Sequence, residues 1–164
     1  MTPLAQSIFQ ILAWGALATL VMTAVLYVSQ HAGWTRLNLP FLLGSFFTRA
    51  RREANVLGFL LYLLGGELFA FVYYLGFSLV GTAGWAAGAA AGLLHAALLL
   101  AVMLPLLPFV HPRIASEYDG PDLERTLEPP GFLGLHYGYR TPLLTLVAQT
   151  AYGAILGAGL TSLM

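Results

Sequence analysis

Four long apolar runs take up most of this 164-residue chain, and all 7 of its Arg fall in two of the segments between them. The runs are Phe9–Gln30, Asn55–Val80, Trp85–Phe109 and Pro142–Met164. Each is near the ~20 residues that a hydrocarbon core of ~30 Å requires at ~1.5 Å per helical residue. With 59% hydrophobic and only 9% charged residues, the chain has too few charges to coat a water-facing exterior, whereas a surface wetted by acyl chains needs almost none. The expected fold is therefore all-α. One transmembrane domain over 1–164 would form a four-helix bundle, with loops at 31–54 and 110–141.

Arg36, Arg49, Arg51 and Arg52 lie between the first and second runs, and Arg113, Arg125 and Arg140 between the third and fourth. The positive-inside rule puts both Arg-bearing loops in the cytoplasm and both chain ends outside. Lys is absent while Arg is present, which reads as the codon bias of a GC-rich bacterium, so the expected location is a bacterial inner membrane. The leader MTPLAQS carries no basic residue and no small-residue cleavage site follows the first run, so that run is expected to be a retained helix. Cysteine is absent, which excludes disulfides, thiolate metal sites and thiol relays. Seven acids balance seven Arg, and no net field draws in nucleic acid. The expected partners are the bilayer and other membrane subunits or a second copy; no cofactor is implied.

Gly81–Gly84 is too short for anything but an antiparallel hairpin of the second and third runs. Leu37–Phe47 is too short to cross and is followed by Arg49, Arg51 and Arg52, a pattern suited to a short interfacial helix in the first cytoplasmic loop. Those three Arg should also attract anionic headgroups. In the second loop, Gly120–Arg125 reads as a short helix with Pro121 at its first position, and Phe132–Tyr139 as an aromatic, interfacial stretch. Tyr62, Gly66 and Ala70 are spaced as Gln149, Gly153 and Gly157 are, as two tandem helical hairpins related by duplication would require.

Helices in lipid associate through close backbone approach at small residues four apart. Gly84, Gly88, Gly92 and Ala96 form the longest such series, with Gly66 and Ala70, and Gly153 and Gly157, on the flanking runs. Pro105 and Pro108 should kink or end the third run.

Glu67 sits at midplane depth in the second run, where an ionised carboxylate costs several kcal/mol, about 3 on the lenient scales. His95 lies at similar depth in the third, so a Glu67–His95 contact is expected, with Tyr73 as another partner of Glu67 and with Gln149 and Tyr152 completing an intramembrane polar site. Such a cluster either fixes helix register or handles protons or a polar solute. At the cytoplasmic ends, His31, His111 and His136, with Glu117 and Asp119, have the donor types for zinc or copper, although no spacing places two ligands on one turn. No catalytic triad, phosphate loop or nucleotide fingerprint is present.

The stretches Val110-His111-Pro112-Arg113, Tyr137–Pro142 and Tyr152–Gly157, with Leu42-Leu43-Gly44-Ser45, resemble those of a loose group of uncharacterised bacterial four-helix membrane proteins. Members of that group carry His where this chain has Tyr62 and Gln149, so a shared metal or haem site at those two positions is not expected. The resemblance implies the fold and no activity. Three functions stay open: a non-catalytic accessory or self-associating membrane protein, a proton or small-solute transporter around Glu67 and His95, and a metal- or lipid-processing enzyme using the cytoplasmic histidines.

Overall fold

A computed structural model describes residues 2–164, and it is all-helical, with no strand among the described residues. The α-helices are α1 (Pro3–His31), α2 (Leu39–Ser45), α3 (Arg51–Val80), α4 (Trp85–Leu98), α5 (Leu104–Val110) and α6 (Thr141–Gly159). A π-helical turn, Leu99–Met103, joins α4 to α5 without a break. Short 3-10 segments occupy Phe132–Tyr137 and Thr161–Leu163. Four helical stretches are long and apolar enough to cross a membrane: α1, α3, Trp85–Val110 and α6, with mean hydropathy from 1.2 to 2.4.

The ends of these stretches differ from the apolar runs for local reasons. The first helix starts at Pro3 rather than Phe9, because Pro at the first position needs no amide partner and the Thr2 hydroxyl accepts the Ala5 N–H at 3.3 Å. Hydropathy is blind to such caps. The last helix stops at Gly159, after which the Thr161 hydroxyl turns back to the Gly157 carbonyl at 2.9 Å. The third stretch does not end at its prolines: α5 continues past both Pro105 and Pro108 to Val110. Pro105 occupies one of the first two positions of α5, directly after a widened π turn in which the Leu104 amide bonds the Leu99 carbonyl.

The chain divides into two compact units, one of Met1–Val25, Leu63–Ala96 and Leu146–Met164, the other of Leu26–Tyr62 and Ala97–Thr145. In the first unit, a Cβ added at Gly88 would overlap the Gly153 carbonyl, and one at Gly92 the Gln149 carbonyl. The reverse holds at Gly153 against Gly88, and at Gly157 against Gly84. So α4 and α6 touch backbone to backbone. The α1–α3 contact works similarly: a Cβ at Gly66 would strike the Thr19 side chain, and one at Gly15 would lie 2.9 Å from the Ala70 Cβ. Thr19 turns its hydroxyl back to the Gly15 carbonyl at 2.8 Å, which satisfies it inside the helix.

In the second unit, α2 packs on the start of α3. Asn38 caps α2 by accepting the Phe41 amide at 2.9 Å, and Pro40 is near its first position. Gly44 of α2 meets the Ala54 carbonyl, and Gly58 of α3 meets the Pro40 carbonyl, so neither glycine has room for a side chain. The expected helix at Gly120–Arg125 is absent. Gly120 has φ +75°, and the Asp122 carboxylate accepts the amides of Glu124 and Arg125 at 2.7 and 2.6 Å, which makes a turn in place of a helix.

Gly88→Ala should destabilise the full chain in detergent by about 1–3 kcal/mol, because its Cβ meets backbone that cannot rotate away. Gly76→Ala, where nothing lies within 4 Å, should leave stability unchanged or slightly raised. Equal thermal midpoints for the two variants would contradict this packing.

Candidate functional site

The expected polar pair in the first unit is not formed. His95 hydrogen-bonds the Tyr73 hydroxyl through Nδ1 at 3.4 Å, and its ring lies against Phe69 at 4.3 Å and Tyr152 at 6.5 Å between centroids. Glu67 points elsewhere: a Cβ at Gly15 of α1 would come within 2.5 Å of its Oε2. The reason is phase. At ~100° per residue, Glu67 and Tyr73 are separated by ~120° around α3, so one addresses α1 while the other addresses α4.

Glu67 Oε2 is buried with no hydrogen-bond partner among the described residues, and the same holds for Gln149 Oε1. Tyr152 is fully buried and donates its hydroxyl to the Gly66 carbonyl at 2.6 Å, a link from α6 to α3. Of the five intramembrane residues expected to cluster, the structure thus gathers Tyr73, His95 and Tyr152 into one aromatic and hydrogen-bonded group. Tyr73 and Tyr152 meet edge to face at 5.5 Å.

In the second unit His31, His111 and His136 do not converge, and no three His, Asp or Glu groups among the described residues come close enough to hold a metal ion. Each histidine has a separate partner instead. His31 stacks on Tyr27 at 4.0 Å and bonds its carbonyl at 3.0 Å. His136 bonds the Pro129 carbonyl at 3.0 Å. Glu117 and Asp119 lie together on a groove described below. The sequence brings donor types to these loops, but their separate partners hold them apart.

His111 is the most constrained of the three. It is buried, its Nε2 reaches the Leu42 carbonyl at 3.0 Å and the Ser45 hydroxyl at 3.3 Å, and its Nδ1 accepts the Arg113 amide at 3.1 Å. An accepting Nδ1 fixes the neutral tautomer with the proton on Nε2. The Arg113 guanidinium bonds the Ser45 carbonyl, so the same two residues fasten the end of α2 to the chain after α5. Burial, with the Arg113 charge adding to it, holds the imidazole below the ordinary histidine range, and the bond to the Leu42 carbonyl opposes this only in part.

Arg36 forms a second anchor. It forks onto the Glu128 carboxylate at 2.6 and 3.1 Å and reaches the His136 carbonyl. Nearby, the Tyr137 hydroxyl donates to the Glu128 carbonyl at 2.7 Å, and burial, followed by the Glu128 charge, raises its phenol above the ordinary range. Of the three Arg expected at headgroups, Arg49 pairs with Glu124 at 3.5 Å, both side chains being largely exposed, while Arg51 and Arg52 are exposed. The His111–Ser45–Arg113 network and the Gly44–Gly58 contact are additional to the expected site residues. The second was legible: Ala54 and Gly58 extend the four-residue spacing of Tyr62, Gly66 and Ala70.

No family model, curated protein or solved structure matches this chain.

The depressed His111 value gives a pH dependence of definite sign. Above the ordinary value of 6.5 both folded and unfolded forms are neutral and stability is level. As pH falls below 6.5 the unfolded chain takes up a proton that the folded one refuses, so stability declines until the folded value is passed. Unfolding midpoints between pH 8 and 5 should show that decline, and His111→Ala should lose about 1–3 kcal/mol at pH 8 and flatten the curve. A variant as pH-sensitive as the parent would remove His111 from the explanation.

Proposed function

We propose that this chain is a non-catalytic, multi-pass integral membrane protein that works by association, as an accessory subunit or as a self-associating protein. One observation carries the reading. Nearly every helix glycine in the first unit presses on a neighbouring side chain or backbone, but Gly65 and Gly76 of α3 have nothing within 4 Å of where a Cβ would stand. They are 11 residues apart, about 20° around the helix, with Val72 exposed between them. Two small residues on one open face allow a further helix to approach closely.

The finer architecture follows the same reading: a four-helix bundle of two tandem hairpins in a bacterial inner membrane. Its support is that Gly66 and Ala70 close α3 on α1 while Gly153 and Gly157 close α6 on α4, so equivalently spaced residues do equivalent work in each pair. The confinement of Arg to 36–52 and 113–140 favours cytoplasmic loops and external chain ends.

A second reading, transport of protons or a small polar solute, is favoured by Glu67 Oε2 and Gln149 Oε1, two buried oxygens without protein partners. Intramembrane ionisable groups commonly mark such paths. The metal-dependent reading has no comparable support, since the histidines are engaged separately.

Purification in mild detergent should yield a discrete oligomer or stoichiometric membrane partners, and Gly65→Leu with Gly76→Leu should dissociate it to a folded monomer by light scattering. An assembly indifferent to both changes would refute the role of this face. For the transport reading, Glu67→Gln should abolish a pH-dependent flux in proteoliposomes without changing the melting midpoint; a parent protein with no flux would end it.

A further inference from the structure

A groove of about 540 Å³ in the second unit runs between the end of α5 and the loop that follows it. Its size is within the range of roughly 300–1,000 Å³ typical of ligand clefts. Part of its lining is apolar: Pro105, Pro108 and Phe109 from the last turns of the helical stretch that ends at Val110, and Phe132 from the loop. The lining also includes the charged side chains Glu117, Asp119 and Arg125.

None of these three charged side chains is in an ion pair among the described residues, where the two salt bridges are Arg36–Glu128 and Arg49–Glu124. The groove thus offers a cation and two carboxylates, none engaged in an ion pair among the described residues, in a lining that also holds apolar side chains. Phe109 and Phe132 are 73% and 63% exposed, and the loop also carries Tyr118 and Leu123 at 89% and 96%, apolar surface that favours acyl chains over water. The ligand that matches has both charges in its head and hydrocarbon in its tail.

We propose that this groove binds a zwitterionic phospholipid headgroup bearing a primary ammonium, that is, phosphatidylethanolamine. The Arg125 guanidinium takes the phosphate, for which its planar fork is suited. Glu117 and Asp119 take the ammonium, whose three N–H donors they can satisfy, whereas a trimethylammonium head has no donor to offer. Ser116 and Tyr118, on the same rim, supply further hydroxyls to the phosphate oxygens. The acyl chains then leave past Phe109 and Phe132 into the bilayer. This site is independent of the α3 face, and neither finding depends on the other.

The test uses the full chain, stripped of lipid in detergent and titrated with dioleoyl phosphatidylethanolamine, phosphatidylcholine or phosphatidylglycerol, with bound lipid counted by native mass spectrometry. Phosphatidylethanolamine should bind one per chain and at least about tenfold more tightly than phosphatidylcholine, the value of one charge-assisted hydrogen bond. Arg125→Ala should weaken both phosphatidylethanolamine and phosphatidylglycerol. Glu117→Gln with Asp119→Asn should weaken the first at least about tenfold and leave the second unchanged or tighter. All three positions lie on a rim outside the buried core, so unchanged melting midpoints confirm that binding alone is altered. Equal affinity for the ethanolamine and choline lipids, preference for phosphatidylglycerol, or indifference to the paired acidic substitutions would each overturn the assignment.

Discussion

Contact between helix backbones, made possible by missing side chains, is the interaction on which the rest of the first unit depends. In hydrocarbon the hydrophobic effect gives no advantage to a Leu facing another helix over a Leu facing lipid, so dispersion at short range must provide the attraction. Gly88 and Gly92 against Gly153 and the Gln149 carbonyl bring α4 and α6 to that range. Once they are there, the larger groups have fixed places. Tyr152 is completely enclosed and its hydroxyl finds the Gly66 carbonyl, while Tyr73 and His95 settle against its ring. The α4–α6 glycine contact thus places Tyr152 against Tyr73 and His95, while the Tyr73–His95 bond itself joins α3 to α4.

The second unit solves a different problem. Its connecting segments hold backbone polar groups that no long helix satisfies, and side chains do this instead: Asn38 for α2, Asp122 for the turn at 122–125, Thr35 for the Leu37 amide at 3.1 Å, and Arg36 for the His136 carbonyl. Buried amides and carbonyls without water must be paired inside the protein, and this chain divides the work between local caps and a few long-range polar contacts. His111 is one of them, and its neutral form matters because a second proton on Nδ1 would face the Arg113 amide.

Most of the architecture was legible in the sequence because span length and hydropathy depend on composition alone. The four long helices, the turn at Gly81–Gly84 and the helix within Leu37–Phe47 all rest on that signal. What escaped depends on direction. Glu67 and His95 count to similar positions along their runs, yet Glu67 faces α1 while Tyr73 takes the place beside His95; position can be counted along a chain whereas the identity of the facing helix cannot. Gly120–Arg125 has the residues of a helix start, but Asp122 serves its own following amides first, and six residues offer no competing helical cooperativity. The histidines failed to gather because each found a separate carbonyl, a choice made by loop conformation.

The docking of α2 has a thermodynamic corollary. A seven-residue helix is far below the length at which an isolated peptide stays folded in water, so its helicity is conditional on the saddle formed by Ala54 and Gly58 and on the clasp from the chain after α5. Anything that lifts Gly44 from that saddle removes the reason for the segment to be coiled at all. Undocking and melting are then a single event, and amide exchange across Leu39–Ser45 would register it as one cooperative step distinct from the opening of the long rods.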